Sequence, residues 1–419
     1  MNKRNRIYLC LAHMSETEME QKYIKEAFDT NWVVPLGPNV NAFEKDLEQF
    51  VGQERSVVAL SAGTAAVHLA LLACGVGPGD EVCVQSFTFC ASSHPITYLG
   101  ATPIFIDSEA DTWNMDPDLL EKAIVDRIDK TGKAPKAIIP VALYGMPYKI
   151  DKIMDIADKY GIPVIEDAAE GFGSRYSDCV LGTFGRFGVL SFNGNKMITT
   201  SGGGALVCST REDADRIMWY ATQAREAYPY YQHEAIGYNY RMSNICAGIG
   251  RGQMTVADAH IAHHKHIQHL YEELLGEVSG ITVHSQPDDA VYDSNYWLCT
   301  IVLDSNVQIK GQENAYKKAI TTAVGGAAGV IHASGGLHTD CEPNDNVEAL
   351  RIFMDEAQVE ARPVWKPMHC QPVYKHCPAY LNGVSESIFK KSLCLPAGPC
   401  VSDADVHYIV DKIKEAIVF

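Results

Sequence analysis

The stretch that organises the chain is Phe187-Gly-Val-Leu-Ser-Phe-Asn-Gly-Asn-Lys-Met-Ile-Thr-Thr-Ser-Gly-Gly-Gly-Ala205. Its apolar run from Val189 to Phe192 predicts a short buried strand, and a second run, Ala205 to Cys208, follows three glycines. Lys196 lies in the polar turn between them. Because burial favours the neutral amine, a lysine placed there can attack carbonyl groups and form Schiff bases. A loop lysine that extends into solvent explains this stretch equally well.

The spacing of this stretch excludes a phosphate-binding P-loop. A Walker A motif needs glycine, four residues, and then Gly-Lys-Ser/Thr. Here five residues separate Gly188 from Gly194, Asn195 precedes the lysine, and Met197 follows it.

The composition is that of a globular protein large enough for two unequal domains. The chain has 419 residues, of which 47% are hydrophobic and 21% charged. We expect an N-terminal segment (1–29) that packs on the small domain, a large domain (30–260) and a small C-terminal domain (261–419). The net charge of −17 argues against nucleic acid or anionic membranes as partners but permits a small anionic substrate.

The cysteine pattern predicts a cytoplasmic protein with reduced thiols and no metal site. Thirteen cysteines are scattered without a Cys-x-x-Cys pair. The apolar stretch from Ile7 to Ala12 is too short for a signal peptide, and no apolar run is long enough to span a bilayer.

Strands alternate with helices through the first half of the chain. Apolar runs predict strands at 57–60, 81–84, 103–107, 137–142 and 162–167, and amphipathic segments predict helices between them, including 117–130 and 150–160. This rhythm is typical of an α/β fold with a mostly parallel sheet covered on both faces.

Three positions at predicted strand ends are candidates for ligand binding. Ser61-Ala-Gly-Thr64 opens a helix after a strand, which indicates either an anion site or ordinary capping by Ser61 or Thr64. Asp167 ends a buried strand, where it either faces a cation such as a protonated pyridine nitrogen or caps the next segment. Phe89 can stack on a heteroaromatic ring, although a core phenylalanine is the simpler interpretation.

The second half of the chain contributes three further expectations. One long helix is predicted from about 244 to 276, and its five histidines are interpreted as a solvated face in preference to a metal site. The Gly/Ala-rich segment 321–346 is predicted to be either a partly mobile loop over the site or a plain insertion. The turn Trp365-Lys-Pro-Met-His369 bears groups that can bind a ligand, although residues of the small-domain core would fit there equally well.

Taken in order, these features resemble the fold-type I pyridoxal-phosphate enzymes, and more closely the DegT-type nucleotide-sugar aminotransferases. The resemblance covers nearly the whole chain and rests on Ser61–Ala66, Gly79–Val82, Thr88–Phe89, Leu99–Pro103, Glu166–Ala169, Ser191–Phe192 with Lys196, and Gly237–Arg241. It implies a mostly parallel seven-stranded sheet covered by helices, with a smaller α+β C-terminal domain. It also implies pyridoxal 5′-phosphate as the cofactor.

The resemblance assigns roles to individual residues. It implies that Lys196 is the internal aldimine lysine and proton shuttle and that Asp167 is the partner of the pyridinium nitrogen. The remaining cofactor contacts that it implies are Phe89 on the ring, Gly63, Thr64 and Ser191 at the phosphate, Asn239 reaching the phosphate from the second subunit, and Glu170 where most members carry Gln.

Departures from the family pattern indicate a subgroup. Asn193-Gly-Asn195 replaces a common histidine-containing turn, and Ser201-Gly-Gly-Gly204 replaces a common Gly-Glu-Gly-Gly. With the segments 221–225, 231–233 and 362–369, they are similar to enzymes that aminate C4 of a UDP-4-keto-6-deoxy-N-acetylhexosamine on the route to N,N′-diacetylbacillosamine.

This subgroup implies ping-pong transamination from L-glutamate in a homodimer with shared active sites. Asn193, Trp365, Lys366 and His369 are then expected to contact the substrate. A dTDP-keto sugar or a pseudaminic-acid precursor is an alternative substrate. A non-catalytic regulator with the same fold is disfavoured because Lys196 and Asp167 are present.

Overall fold

The computed structural model describes residues 5–52, 54–316, 320–323, 330–333 and 341–418. Half of the predicted loop at 321–346, namely residues 324–329 and 334–340, therefore lies outside the described residues. Within that segment, 320–323 and 330–333 pair as an antiparallel hairpin.

The α-helices of the described residues alternate with strands in the first half and cluster toward the C-terminus. They are α1 Met19–Asp29, α2 Pro38–Val51, α3 Gly63–Ala73, α4 His94–Tyr98, α5 Pro117–Thr131, α6 Ile150–Tyr160, α7 Arg211–Ala221, α8 Asn244–Met254, α9 Ala257–Leu275, α10 Asp345–Glu356, α11 Val384–Lys391 and α12 Asp403–Ala416.

The β-strands are short. They are β1 Ser56–Leu60, β2 Glu81–Gln85, β3 Thr102–Ile106, β4 Ala137–Ile139, β5 Ile165–Asp167, β6 Arg175–Tyr176, β7 Cys179–Val180, β8 Phe187–Ser191, β9 Gly204–Cys208, β10 Ile281–Val283, β11 Tyr292–Asp293, β12 Cys299–Leu303, β13 Gln308–Ile309, β14 Ile320–Ala323, β15 Val330–Ala333, β16 Arg362–Pro363, β17 Ala379–Tyr380, β18 Ser392–Leu395 and β19 Ile417–Val418.

The central sheet places seven strands in the order β3-β2-β4-β5-β8-β9-β1, and β17 extends it beyond β3. Parallel bridges at Ile138–Val164 and Val141–Asp167 join the β4 and β5 halves. Only β9 runs against its neighbours. The strands are buried on both faces, as a parallel sheet with helices on each side requires.

The turn that carries Lys196 connects two central strands. Strands β8 and β9 pair antiparallel, with Ser191 opposite Gly204. A Cβ on Gly204 would lie 2.4 Å from the Gly63 nitrogen, so only glycine allows the start of α3 to pack against β9. The pair β8–β9 therefore places the lysine turn beside the N-terminus of a helix.

A second core lies under the C-terminal part of the chain. The antiparallel sheet β10-β12-β18-β16 packs with α9, α10 and α12 through buried side chains that include Tyr271, Ile301, Leu350 and Ile409. The run of buried residues in β12, four of its five, and the amphipathic pattern of α12 account for this layer.

The N-terminal segment contacts both parts of the chain. Ile7 pairs with Val359 in a parallel bridge, and Arg6 forms an ion pair with Asp355 at 2.6 Å. Helix α1 instead packs on α8. The predicted division at residues 29 and 260 stays a prediction, and residue 260 lies inside α9.

The prediction of one long helix from 244 to 276 is wrong. Two helices, α8 and α9, are separated at Thr255 and Val256, where Val256 adopts a non-helical conformation (φ −122°, ψ 4°). Nothing in the local sequence interrupts the helical pattern at this point. The change of direction therefore comes from packing, because α8 contacts α1 and α2 whereas α9 contacts the C-terminal sheet.

The sequence suggested that the histidines of α9 form a single solvated face, but the structure shows that they do not. His260 and His264 are buried, whereas His266 and His269 are exposed. The His264 Nδ1 donates to the Tyr296 carbonyl oxygen at 3.2 Å, and burial lowers the pKa of His264 to about 3. His264 is therefore a neutral core residue.

This burial predicts a loss of stability in acid. The pKa of His264 is lower in the folded chain than in the unfolded chain, so between about pH 6.5 and pH 3 the unfolded chain binds more protons. The stabilisation is complete above this range and is lost as the pH falls through it, with a slope of up to about 1.4 kcal/mol per pH unit. Thermal unfolding midpoints should fall less steeply between pH 7 and pH 5 in His264→Asn, which keeps a donor to Tyr296.

His266→Asn is the matched control, because His266 lies on the same helix but is exposed. It should follow the wild-type curve. Parallel curves for His264→Asn and the wild type would contradict the assignment.

All thirteen cysteines are free thiols. Among the described residues, the helices are too short or too polar for any of them to cross a membrane.

Candidate active site

A cavity opens at the carboxyl-terminal edge of the central sheet. The cavity and its mouth together span about 1010 Å³, part of which is open to solvent. Its walls come from the residues after β1, β2, β5 and β8 and before β9, and include Gly63, Thr64, Phe89, Ser92, Asp167, Glu170, Ser191, Asn193, Asn195, Lys196, Trp297 and Trp365. Parallel strands all end at this edge, which is where α/β sheets bind ligands.

Lys196 extends into this cavity and is not a solvent-exposed loop lysine. Its side chain is only 12% exposed. The Nζ atom lies 3.6 Å from Glu170 Oε1 and 4.1 Å from the centre of the Trp297 ring. The amine is thus held between a carboxylate and an aromatic face, with one side open to the cavity.

Asp167 presents a buried carboxylate at the end of β5. Its Oδ2 accepts a hydrogen bond from Ser92 Oγ at 2.6 Å, and its Oδ1 accepts one from the Ala169 N–H at 3.1 Å. Burial raises the pKa of Asp167, while these two hydrogen bonds and the charge of Lys196 lower it. Asp167 therefore caps the following turn and also lines the cavity, and its pairing with a pyridine nitrogen stays a prediction.

Glu170 accepts two hydrogen bonds from separate parts of the chain. Oε2 accepts the Tyr144 N–H at 2.8 Å, and Oε1 accepts the Trp365 indole N–H at 3.2 Å. Burial raises the pKa of Glu170, and the nearby Lys196 charge and the Tyr144 N–H oppose that change. This side chain thus connects Lys196 to the turn that contains Trp365.

The N-terminus of α3 supplies free backbone donors. Its N-cap is Ala62, and neither Ser61 nor Thr64 caps the helix through its side chain. Gly63 lies so close to Ser191 that a Cβ there would be 3.2 Å from the Ser191 Cβ. Uncapped N–H groups beside a serine hydroxyl form a site suited to a phosphate group.

Phe89 lies at the cavity and outside the core. It is 48% exposed, and its ring centre is 5.1 Å from that of Trp365. Its neighbour Phe87 is fully buried. The ring of Phe89 is therefore free to cover one face of a planar ligand.

These residues fit pyridoxal phosphate. The helix start with Ser191 can hold the phosphate group, and Phe89 can cover the ring. The buried Asp167 carboxylate needs a cationic partner, which a protonated pyridine nitrogen provides, and Lys196 offers an amine for the aldehyde. All four features line the same cavity.

A second cavity of about 940 Å³ adjoins the first. The two share Asn193, Asn195, Trp297 and Trp365 in their walls. The second is also lined by Glu360 and Arg362, which form an ion pair at 2.6 Å. A ligand larger than the cofactor can therefore extend from Lys196 toward a polar region with an arginine.

Three predicted site residues lie outside both cavity walls. Asn239 pairs with Thr222 in an antiparallel bridge, and the neighbouring Tyr240 carbonyl accepts the Ser61 N–H. His369 Nδ1 is 2.7 Å from Ser86 Oγ. Neither these two residues nor Lys366 belongs to the cavity lining. Their predicted roles in binding stay predictions.

Three residues of the site were missed at the level of sequence. Ser92 holds Asp167, Trp297 covers the Lys196 amine, and Tyr144 binds Glu170 through its main chain. Trp297 opens an apolar strand and looks like a core residue. The tight turn at Tyr144 (φ 53°, ψ 20°) leaves no signal in its residue type.

Trp365→Phe should lower kcat/KM about tenfold. The substitution keeps an aromatic ring beside Phe89 but removes the indole donor to Glu170, and a hydrogen bond to a charged group contributes about 1.5–3 kcal/mol. Steady-state kinetics with the amino acceptor measures the change. Trp219→Phe, outside both cavities, serves as the control, and a value for Trp365→Phe within about twofold of wild type would show that the indole donor is unimportant.

Comparisons with known proteins agree on one family. The model of the DegT/DnrJ/EryC1/StrS aminotransferase family matches residues 14–332 and 312–414. EpsN of Bacillus subtilis (strain 168), which carries the name of a pyridoxal phosphate-dependent aminotransferase, is 42% identical over 412 residues, covering 97% of this chain and 95% of EpsN. GDP-perosamine synthase of Escherichia coli O157:H7 is 34% identical over 409 residues, covering 97% and 98%.

A solved structure is similar over nearly the full length. It is a DegT DnrJ EryC1 StrS aminotransferase from Brucella abortus, with a TM-score of 0.80, 28% identity and coverage of 95% of both chains.

Proposed function

Because the chain belongs to the DegT/DnrJ/EryC1/StrS family of pyridoxal-phosphate-dependent sugar aminotransferases, we propose that it transfers an amino group from L-glutamate to C4 of a UDP-4-keto-6-deoxy-N-acetylhexosamine. The predicted fold class, enzyme class and cofactor are confirmed. The sugar, its nucleotide and the amino donor are our proposal.

One observation carries the proposal for the chemistry. Lys196, Asp167 and the uncapped start of α3 line a single cavity. A primary amine, a buried carboxylate and an anion site are the three groups that a pyridoxal phosphate enzyme needs around its cofactor.

Each residue then has a defined task. The cofactor, when bound, acts as the electron sink for charge that develops at the substrate carbon. Asp167 keeps the ring nitrogen protonated, and Ser92 holds the Asp167 carboxylate in place. The Lys196 Nζ would hold the proton that is exchanged at C4 of the sugar. Glu170, fixed by Tyr144 and Trp365, positions the amine when it is not engaged.

The second cavity supports a nucleotide-sugar substrate. It starts at Asn193 and Trp365, beside the amine, and reaches Arg362. A guanidinium is well suited to a diphosphate, and an aromatic ring with amide groups suits a sugar. Arg362 is paired with Glu360, so a diphosphate would share the guanidinium with that carboxylate or displace it.

GDP is an alternative to UDP as the nucleotide of the substrate. GDP-perosamine synthase carries a GDP sugar in its name, and the coverage of that relative is almost complete. The UDP assignment instead rests on the departures from the family pattern at Asn193–Asn195 and Ser201–Gly204.

A substrate panel tests the assignment. The holoenzyme is supplied with L-glutamate and with UDP-, GDP- and dTDP-linked 4-keto-6-deoxy sugars, including both epimers of the UDP-linked N-acetyl keto sugar. The proposal expects the UDP N-acetyl sugar to have the highest kcat/KM, by about tenfold or more, and product NMR to place the amine on C4. Preference for another nucleotide would reject the sugar assignment. The enzyme could also fail with every keto sugar while it still exchanges nitrogen between glutamate and the corresponding keto acid. That result would reject keto sugars as the class of amino acceptor.

We also propose a homodimer in which Asn239 reaches the phosphate group bound to the partner subunit. Asn239 does not line the cavity of its own chain. Exposed apolar side chains occur close to Asn239 in the sequence, at Tyr231 and Ile236, and also in the separate loop that contains Trp32 and Leu36. Mixing Lys196→Ala with Asn239→Ala chains, followed by denaturation and reassembly, should restore activity that neither has alone. Absence of restoration in proven mixed dimers would contradict a shared site.

A further inference from the structure

A cluster of metal-ligating side chains lies beside the turn that carries Trp365. It consists of His369 and Cys370, at the end of that turn, and Glu386 in the first turn of α11. One ligand atom from each residue (a ring nitrogen, a thiol sulfur and a carboxylate oxygen) lies within 4.8 Å of the other two. All three side chains are half-buried, so they are enclosed but can be reached by an ion.

A fourth donor approaches from a different segment. The thiol of Cys341 is buried and is hydrogen-bonded to the thiol of Cys370. Two thiols, one imidazole and one carboxylate are ligands that Zn²⁺ accepts in tetrahedral sites. The donors come from three separate parts of the chain, which explains why no metal-binding spacing is visible in the sequence.

The imidazole is already oriented by a second contact. Its Nδ1 is 2.7 Å from Ser86 Oγ, and the same oxygen accepts the His369 main-chain N–H at 3.2 Å. Ser86 is fully buried. Because Nδ1 is engaged in this contact, Nε2 is the nitrogen available to a metal ion. Histidine ligands of metals commonly use their other nitrogen in this way.

The surrounding charges match a zinc–thiolate centre. Zn²⁺ with two thiolates and one carboxylate has a net charge of −1. The Lys390 ammonium lies 2.5 Å from Glu386 Oε1, which leaves Oε2 for an ion.

We propose that Cys341, His369, Cys370 and Glu386 form a structural zinc site. The ion would connect the chain at residue 341 to the turn at Trp365–Cys370 and to α11. Its effect is to hold the turn that places Trp365 against Glu170, without taking part in the reaction. The cysteine spacing predicted that the protein has no metal site, and the proposed zinc site departs from that prediction.

Zinc binding to the reduced holoenzyme tests the proposal. Chelator-treated protein, kept reduced with a phosphine, is titrated with Zn²⁺ against a chromophoric competitor, and thermal unfolding is followed with and without the metal. We expect one Zn²⁺ per chain, a higher unfolding midpoint with zinc, and tetrahedral d–d absorption when Co²⁺ replaces it. Cys370→Ser and Glu386→Gln should each weaken zinc binding about tenfold or more.

Cys377→Ser is the matched control, since it removes a half-buried thiol that lies outside the cluster. It should bind zinc like the wild type. Zinc affinity that is unchanged by Cys370→Ser and Glu386→Gln would overturn the proposal. The proposal would also be overturned if the reduced wild-type protein bound no zinc. It would be overturned as well if the protein were isolated only with Cys341 and Cys370 joined in a disulfide.

Discussion

Lys196→Ala should lower the rate of amino-sugar formation by about 10³-fold or more. The variant lacks both the amine that attaches the cofactor and the group that moves the proton, and positioned proton transfer alone contributes about 10²–10⁴-fold. The amine is buried beside Glu170 and Trp297, so no other side chain can replace it at the same position. Initial rates with glutamate and the preferred keto sugar provide the measurement.

A second readout identifies the attachment itself. After borohydride reduction, the intact mass of the wild-type chain should increase by that of the reduced cofactor, and the mass of Lys196→Ala should not. Lys159→Ala, an exposed lysine paired with Glu121, serves as control and should behave like the wild type in both assays. Near-normal turnover by Lys196→Ala would refute the assignment of the site.

Asp167→Asn should reduce kcat by about 10²–10³-fold while leaving the fold intact. Asparagine has the same shape and can still accept from Ser92, but it carries no charge to hold the ring nitrogen protonated. Burial makes this charge effective, because the surrounding medium screens it weakly. Kinetics, together with the absorbance of the bound cofactor, separates lost chemistry from lost binding.

Ser92→Ala tests a smaller change at the same carboxylate as Asp167→Asn. It removes one hydrogen bond to the carboxylate but keeps the charge, so we expect a loss of only about tenfold. If Asp167→Asn retained half or more of the wild-type activity with cofactor bound, the carboxylate would have no role at the ring nitrogen.

The lysine turn shows how far local sequence information extends. The apolar runs around Lys196 indicated two buried strands, and β8 and β9 lie there. The same pattern left open whether the amine faces solvent. Burial of the side chain to 12% depends on Glu170, Trp297 and the start of α3, which are distant in sequence. Side-chain burial is a property of the packed layers and not of the turn.

The sequence left two interpretations open at three other positions, and the tertiary packing determined the contacts there as well. The α3 start remains without a side-chain cap, Phe89 lies at the cavity, and Asp167 both caps a turn and lines the cavity. In contrast, the break between α8 and α9 and the burial of His260 and His264 had no local signal. In both cases the partner that decides the outcome belongs to another element.

By itself, the sequence determined the α/β class and the alternation of strands and helices, which follow from the period of apolar residues. The family and the cofactor followed from the resemblance that the short motifs carry. Only the tertiary structure decided that Ser92 supports Asp167, that Trp297 covers Lys196, and that His369, Cys370 and Glu386 lie together with Cys341 beside Cys370. These contacts join residues far apart in the chain, and no local pattern specifies them because they form only when the layers pack together.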